Sequence, residues 1–255
     1  MELITGNKFK TMSDYILDEK GFRKTDINNL IPVFFIKTDF IDVFFKQYKP
    51  SINYKIITHN SDYPISEKFL SYLNDEYLIK WYGQNINIVH SKLESIPIGI
   101  ANEIWEHGNE EIIKNEISLE KVKNNLIYSN FDISTNPSER LKCSESMIKN
   151  GISISPRQNF KQYLNELNSS LFSISPNGNG IDCHKIWESL YLKTIPIVTK
   201  SINIDYYSDY PILIIDDWES FRKEDITIEL YNKIIKKYNN SKLELNHFLE
   251  KILNT

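Results

Sequence analysis

Residues 173–199 read SISPNGNGIDCHKIWESLYLKTIPIVT, and the order of residue types in that stretch decides the fold. Leu171 to Ser175 is a short apolar run of strand type, and the breaker cluster Pro176-Asn177-Gly178-Asn179-Gly180 ends it. A segment with helical spacing follows, and Thr194 to Val198 returns as a buried strand. The glycines permit backbone conformations closed to other residues and let a ligand approach the main chain, while Asp182 is placed to cap the helix. A helix start of this kind presents unpaired N–H groups and a positive dipole end, which suits an anion such as a pyrophosphate. Along the helix, His184 and Glu188 are one turn apart and share the exposed face, with Ile186, Trp187 and Leu190 available to pack inward. A carboxylate in that position can accept two hydrogen bonds from a ribose diol.

Upstream of this stretch the pattern alternates between strand-like and helix-like segments. Pro32–Lys37 and Tyr54–Thr58 predict buried strands, Asp39–Tyr48 and Ser66–Leu73 helices, and Tyr77–Trp81 and Ile86–Val89 short strands, after an irregular or short helical opening over Lys8–Lys20. A polar helical stretch from Asn109 to Lys123 reads as a hinge. Beyond it come a strand at Asn125–Tyr128, a helix at Ser138–Lys149, a strand at Ile152–Ser155 and a helix at Asn159–Leu167. After the central stretch, Tyr210–Ile215 predicts a strand and Thr227–Lys236 and Lys242–Ile252 predict closing helices, the last leaning across the domain junction. Alternation of this kind predicts an α/β protein with Rossmann-like lobes, divided into residues 1–120 and 121–255.

The 255 residues carry a net charge of -4, with 41% hydrophobic residues, enough apolar material for a sizeable core. That mildly acidic balance provides no electrostatic footprint for nucleic acid. Two cysteines, Cys143 and Cys183, are too few for a disulfide framework or a thiolate zinc site, so a reducing compartment is expected. No apolar run reaches the roughly 18 residues of a membrane span, and the polar start lacks a signal-peptide core, so the expectation is a cytoplasmic protein. Composition does not fix the oligomeric state.

The run SPNGNGIDCHKIWESLYLKTIPIV resembles the donor-site signature of exostosin-like glycosyltransferases, in the order SP, glycine-rich loop, Asp, His, basic residue, Trp-Glu and IPIV. The likeness is dense over about two dozen residues and thins to IYSNF, Thr135-Asn136 and Arg140 upstream and to ITHNSD and IPIGIAN in the first half. It implies a GT-B-like α/β fold, two Rossmann-like lobes with a donor cleft between them, and a UDP-linked sugar moved to a glycan or other hydroxyl acceptor with inversion. It also implies that Arg140 reaches the donor diphosphate, beside Asn177, Gly178, Asn179, Gly180, Asp182, His184 and Lys185, and that Glu188 holds the ribose. A fucosyltransferase-type enzyme using a GDP-sugar shares an SPxN-like loop and a PIV strand, although WES replaces its TEK-type run. An inactive glycan- or nucleotide-binding protein of the same fold is the reading from a different class.

Inverting transfer needs a base to take the acceptor proton. Asp62 and His59 follow a buried strand at the end where open α/β sheets place ligands, and Asn60-Ser61-Asp62 is also good turn chemistry. Glu106 and His107 form a second pair beside a helix end at Gly108, and His90 reads as structural. No DxD triplet, HExxH, GxSxG or P-loop occurs, so no metal and no resident cofactor is expected, and the leaving diphosphate would be stabilised by a helix dipole and by Arg and Lys charge.

Overall fold

Two sheets rich in parallel pairs organise the chain, one of six strands and one of four. They belong to a computed structural model that describes residues 1–119 and 121–255. The sheets lie in separate units, Met1–Gly99 with Glu244–Thr255, and Ile100–Leu243. The domain division expected after residue 120 falls on Glu120, which lies outside the described residues.

The first unit contains β1 (Tyr15–Asp18), β2 (Gly21–Lys24), β3 (Val33–Lys37), β4 (Tyr54–His59), β5 (Leu78–Gly83) and β6 (Leu93–Ser95). β1 and β2 form an antiparallel hairpin, and β1, β3, β4, β5 and β6 run parallel. From β3 onward each connection steps to the next position in the same direction, so right-handed crossovers place their helical segments on one face. On that face Phe44 meets Phe34 and Tyr54 at ring separations of 5.2 and 6.0 Å, and Phe45 and Phe69 flank Trp81. The chain's two ends cover the other face. Phe9 packs on His59 at 5.6 Å, and buried Lys55 donates to Ile252 O and Leu253 O at 2.8 and 3.1 Å. Desolvation lowers the Lys55 pKa, and the carbonyl end of the Leu245–Asn254 helix is a favourable place for its ammonium. Covered on both sides, β4 buries all six of its residues.

Several elements differ from the sequence-based expectation. The hairpin of β1 and β2 occupies part of the opening read as irregular, and it is held by stacking of Tyr15 on Phe22 and by the Arg23–Asp18 ion pair. Gly21, at φ 83, makes its turn. Ile86–Val89 is not a strand: Ile86 makes a single parallel bridge to Ile65, Asn85 turns the backbone at φ 58, and β6 takes the sheet edge instead. The helix expected over Asp39–Tyr48 is a 3-10 turn, one α turn and a π stretch in succession.

In the second unit β7 (Asn125–Ser129), β8 (Ser170–Ile174), β9 (Ile195–Thr199) and β10 (Leu213–Ile215) are parallel neighbours in chain order. Phe172, Ile174, Ile195 and Ile197 face a cluster with Cys143, Met147, Trp218 and Phe221. Ser173 faces the opposite side, where its hydroxyl meets Ser189 of the His184–Tyr191 helix at 2.8 Å. Small serines on both elements let that helix lie close to the sheet. Ile152–Ser155, expected as a strand, makes no ladder: Ser155 N donates to Ser129 O at 2.7 Å, and further back a groove of about 330 Å³ lined by Asn125, Ile127, Ile152 and Ser153 separates it from β7.

Candidate functional site

In the second unit the Pro137–Lys149 and His184–Tyr191 helices lie on opposite faces of the sheet. From β7 the chain passes through the Pro137–Lys149 helix to Ile152–Ser155 on the outer edge, then through Phe160–Asn168 to β8 on the inner side. Helices on opposite faces bring one side chain each, Arg140 and Lys185, to the carboxyl ends of β8 and β7, where open α/β sheets form their ligand crevice.

The Pro176–Gly180 loop leaves β8 at this crevice, and the first turn of the Pro137–Lys149 helix clamps it. Asn136 Nδ2 donates to Gly178 O at 2.9 Å, Arg140 Nε donates to Asn177 O at 2.8 Å, and Glu139 Oε1 accepts from Asn177 N at 3.1 Å. From the other side Gly178 N donates to Cys183 Sγ at 3.0 Å, and burial pushes that thiol up to about 12, so it stays neutral. Two loop N–H groups are therefore occupied by the protein itself. Gly178 does not hold a left-handed conformation, contrary to the expectation for this loop, and a Cβ there would meet Arg140 Nη2 at 3.4 Å. Asn179 is exposed and Gly180 buried.

Arg140 also donates from Nη1 to Asp132 O at 2.8 Å, which leaves its Nη2 edge beside the loop to meet an anion. Lys185 Nζ donates to Asn130 O at 2.8 Å, just past the end of β7, and lies 5.2 Å from the Tyr128 ring. Burial pulls the Lys185 pKa down to about 7 against the attraction of Glu188. Asp182 is not the helix cap. Cys183 occupies the N-cap position with no side-chain cap bond, and buried Asp182 accepts from Trp187 Nε1 at 2.9 Å, which braces the helix against its own first turn.

Glu188 is likewise not on an exposed face: it is 4% exposed and accepts from Tyr163 OH at 2.6 Å. Burial raises its pKa to about 7, with Tyr163 and Lys185 opposing the shift. His184 packs edge-on against His107 with ring centres 6.2 Å apart. Desolvation lowers the His107 pKa, with Glu106 opposing.

No family model matches the sequence, and no curated protein matches it as a relative. The site is therefore argued from its own chemistry. Arg140, Lys185, the helix start and Glu188 converge on the carboxyl ends of β7 and β8, a set suited to a ligand with both an anionic group and hydroxyls.

The remaining candidates lie in the first unit. His59 is 1% exposed, with Nε2 donating to Pro97 O at 3.1 Å and Nδ1 accepting from Asn60 N at 2.7 Å. Asn60, at φ 59, turns the chain into the loop that leaves Asp62 exposed. A Cβ on Gly6 would fall 1.9 Å from Asn60 Oδ1, so the first helix approaches this corner only through a glycine. Among the described residues no three His, Cys, Asp or Glu side chains converge as metal ligands, and no helix is long and apolar enough to cross a membrane.

Glu139 and Tyr163 carry the site's architecture and were not singled out by sequence reasoning. Glu139 Oε1 gathers Asn177 N, Thr199 Oγ1 and Trp218 Nε1, tying the loops after β8 and β10 to the end of β9. Its sequence signal, Asn136-Pro-Ser-Glu139, reads as a capping motif, and Asn136 is indeed the N-cap. Nothing local shows that the carboxylate turns outward to three other loops.

Proposed function

We propose that this chain is a GT-B-type glycosyltransferase resembling exostosin-like enzymes, taking a UDP-linked sugar and passing the sugar to a hydroxyl acceptor. One observation supports the reading: Arg140, Lys185, the start of the His184–Tyr191 helix and Glu188 converge at the carboxyl ends of β7 and β8. Arg140 and Lys185 offset charge on the departing diphosphate, and preorganised donors of this kind are the largest contribution in many transfer reactions. Glu188 accepts from the ribose diol once its carboxyl ionises. Of Asp62 and His59, Asp62 is the one exposed to solvent, as a general base acting on an incoming hydroxyl must be.

The test is a thermal-shift and calorimetry panel of UDP, GDP and their sugar conjugates, with and without EDTA. A ligand at a hundredfold excess over its Kd adds about 2.7 kcal/mol of apparent stability. UDP is expected to shift the midpoint more than GDP does, EDTA is expected to leave the shift unchanged, and Arg140→Ala and Lys185→Ala are each expected to diminish it. Absence of a shift with every nucleotide overturns the reading, and a larger shift with GDP moves it to the fucosyltransferase type.

A further inference from the structure

We propose that Trp105, backed by His107 and His184, is a stacking platform for a non-acidic saccharide, the acceptor class of the transferase proposed above and dependent on that reading for its role. Trp105 is 57% exposed, whereas Trp81, Trp187 and Trp218 are 0, 0 and 2% exposed. Its neighbour Ile104 is 76% exposed. Two large apolar side chains exposed side by side in sequence offer a surface that a ligand can cover.

The patch stands on a built turn. Trp105 N donates to Asn102 O at 3.0 Å, and Gly108 N donates to Trp105 O at 2.9 Å. A Cβ on Gly108 would fall 2.1 Å from Asn102 O, so the turn is this tight only with glycine there. The indole lies 6.1 Å from the His107 ring at an interplanar angle of 25°, and His107 in turn meets Phe160 at 6.5 Å and His184 at 6.2 Å. His184 opens the helix that follows the glycine-rich loop, so the platform adjoins the crevice described above.

Charge decides the class of ligand. From Ala101 to Ile113 the sequence has Glu103, Glu106, Glu110 and Glu111 and no Lys or Arg, and among these Glu110 is paired with Lys114 at 2.9 Å. A phosphorylated or uronic ligand would be repelled there. A pyranose without acidic groups presents an apolar C–H face to the indole, and its hydroxyls find acceptors in the carboxylates and both donor and acceptor in a neutral imidazole.

Because the other three tryptophans are buried, acrylamide quenching of intrinsic fluorescence reads Trp105 selectively. The probes are cellotetraose, maltotetraose, chitotetraose, a hyaluronan tetrasaccharide and an oligolysine peptide. At least one non-acidic tetrasaccharide is expected to shield the indole, with affinity falling about tenfold in Trp105→Ala and less than about threefold in Trp105→Phe. Hyaluronan is expected to bind more weakly, and the double substitution Glu103→Gln with Glu106→Gln to narrow that gap, while UDP affinity stays unchanged in every variant. Failure of all three non-acidic probes to shield Trp105, equal affinity for hyaluronan, shielding by oligolysine alone, or self-association abolished by Trp105→Ala without saccharide shielding each overturns the platform. Nucleotide binding without saccharide shielding leaves the transferase reading standing and removes this one. Saccharide shielding without nucleotide binding keeps the platform and removes its acceptor role.

Discussion

Lys185 and Glu188 are one turn apart, and burial drives both toward their neutral forms, which makes the pair the site's most pH-sensitive feature. The raised Glu188 pKa means that the folded state holds a proton the unfolded chain releases, so stability falls as pH rises from about 4.5 to about 7. The lowered Lys185 pKa acts oppositely above that window: between about 7 and 10.5 the unfolded chain holds the extra proton and stability rises with pH. The unliganded protein is therefore expected to be least stable near neutrality, with Glu188 alone contributing on the order of 3 kcal/mol. In Glu188→Gln the decline on the acid side should flatten, because the amide keeps an acceptor for Tyr163 without titrating. Urea denaturation of both proteins across pH 4–9 checks this, and an unchanged slope in the variant removes Glu188 as its source.

At the scale of elements, the end of the His184–Tyr191 helix is informative. Thr194 N donates to Ser189 O at 2.9 Å and Lys193 N to Leu190 O at 3.1 Å, a Schellman ending, yet the left-handed position is held by Lys193 at φ 55 instead of by glycine. Lys193→Gly should stabilise the protein by ~0.5–1 kcal/mol by relieving that strain, and the denaturation midpoint shows it. Lys123 is the opposite case. Its ammonium lies within 3.0 Å of four acceptors, Asn168 O, Ser170 O, Leu192 O and Thr194 Oγ1, which share its three N–H donors and join the ends of two helices to the start of β8. Desolvation draws its pKa down to about 7, while helix C-termini favour its charge. Lys123→Met leaves buried oxygens without a donor and should cost about 3 kcal/mol or more. A loss below about 1 kcal/mol would show that water replaces the ammonium.

For the molecule as a whole, the chain's last segment belongs structurally with its first. Leu245 N donates to Glu2 O at 3.1 Å, Tyr82 OH donates to Lys251 O at 3.2 Å, and Phe248 and Ile252 are buried. Ending the chain at Leu243 exposes the sheet face that carries Lys55 and removes Leu245, Phe248 and Ile252 from the core of the first unit. At roughly 1.5–3 kcal/mol per buried side chain, the truncated protein should lose more than about 5 kcal/mol. Retention of the full-length midpoint would show that the terminal helix adds nothing to that unit.

Local pattern was enough for the strand, loop, helix and strand of Leu171 to Val198, because breaker residues and 3.6-residue spacing act within a few positions. It also determined the inward packing of Ile186, Trp187 and Leu190. Contacts between elements decided the rest. The β1–β2 hairpin exists because Tyr15 and Phe22 stack and Arg23 reaches Asp18, and β1 then pairs with β3. Ile86–Val89 lost its place as a strand because β6 supplied a partner for β5, which no window of sequence contains. Glu188 was legible as a carboxylate on a helix, but its burial depends on Tyr163 from a separate helix. Likewise only the folded chain brings Glu139 to three loops and Trp105 to His107 and His184, since spacing along the chain fixes which face of a helix a side chain occupies and not what comes to meet it.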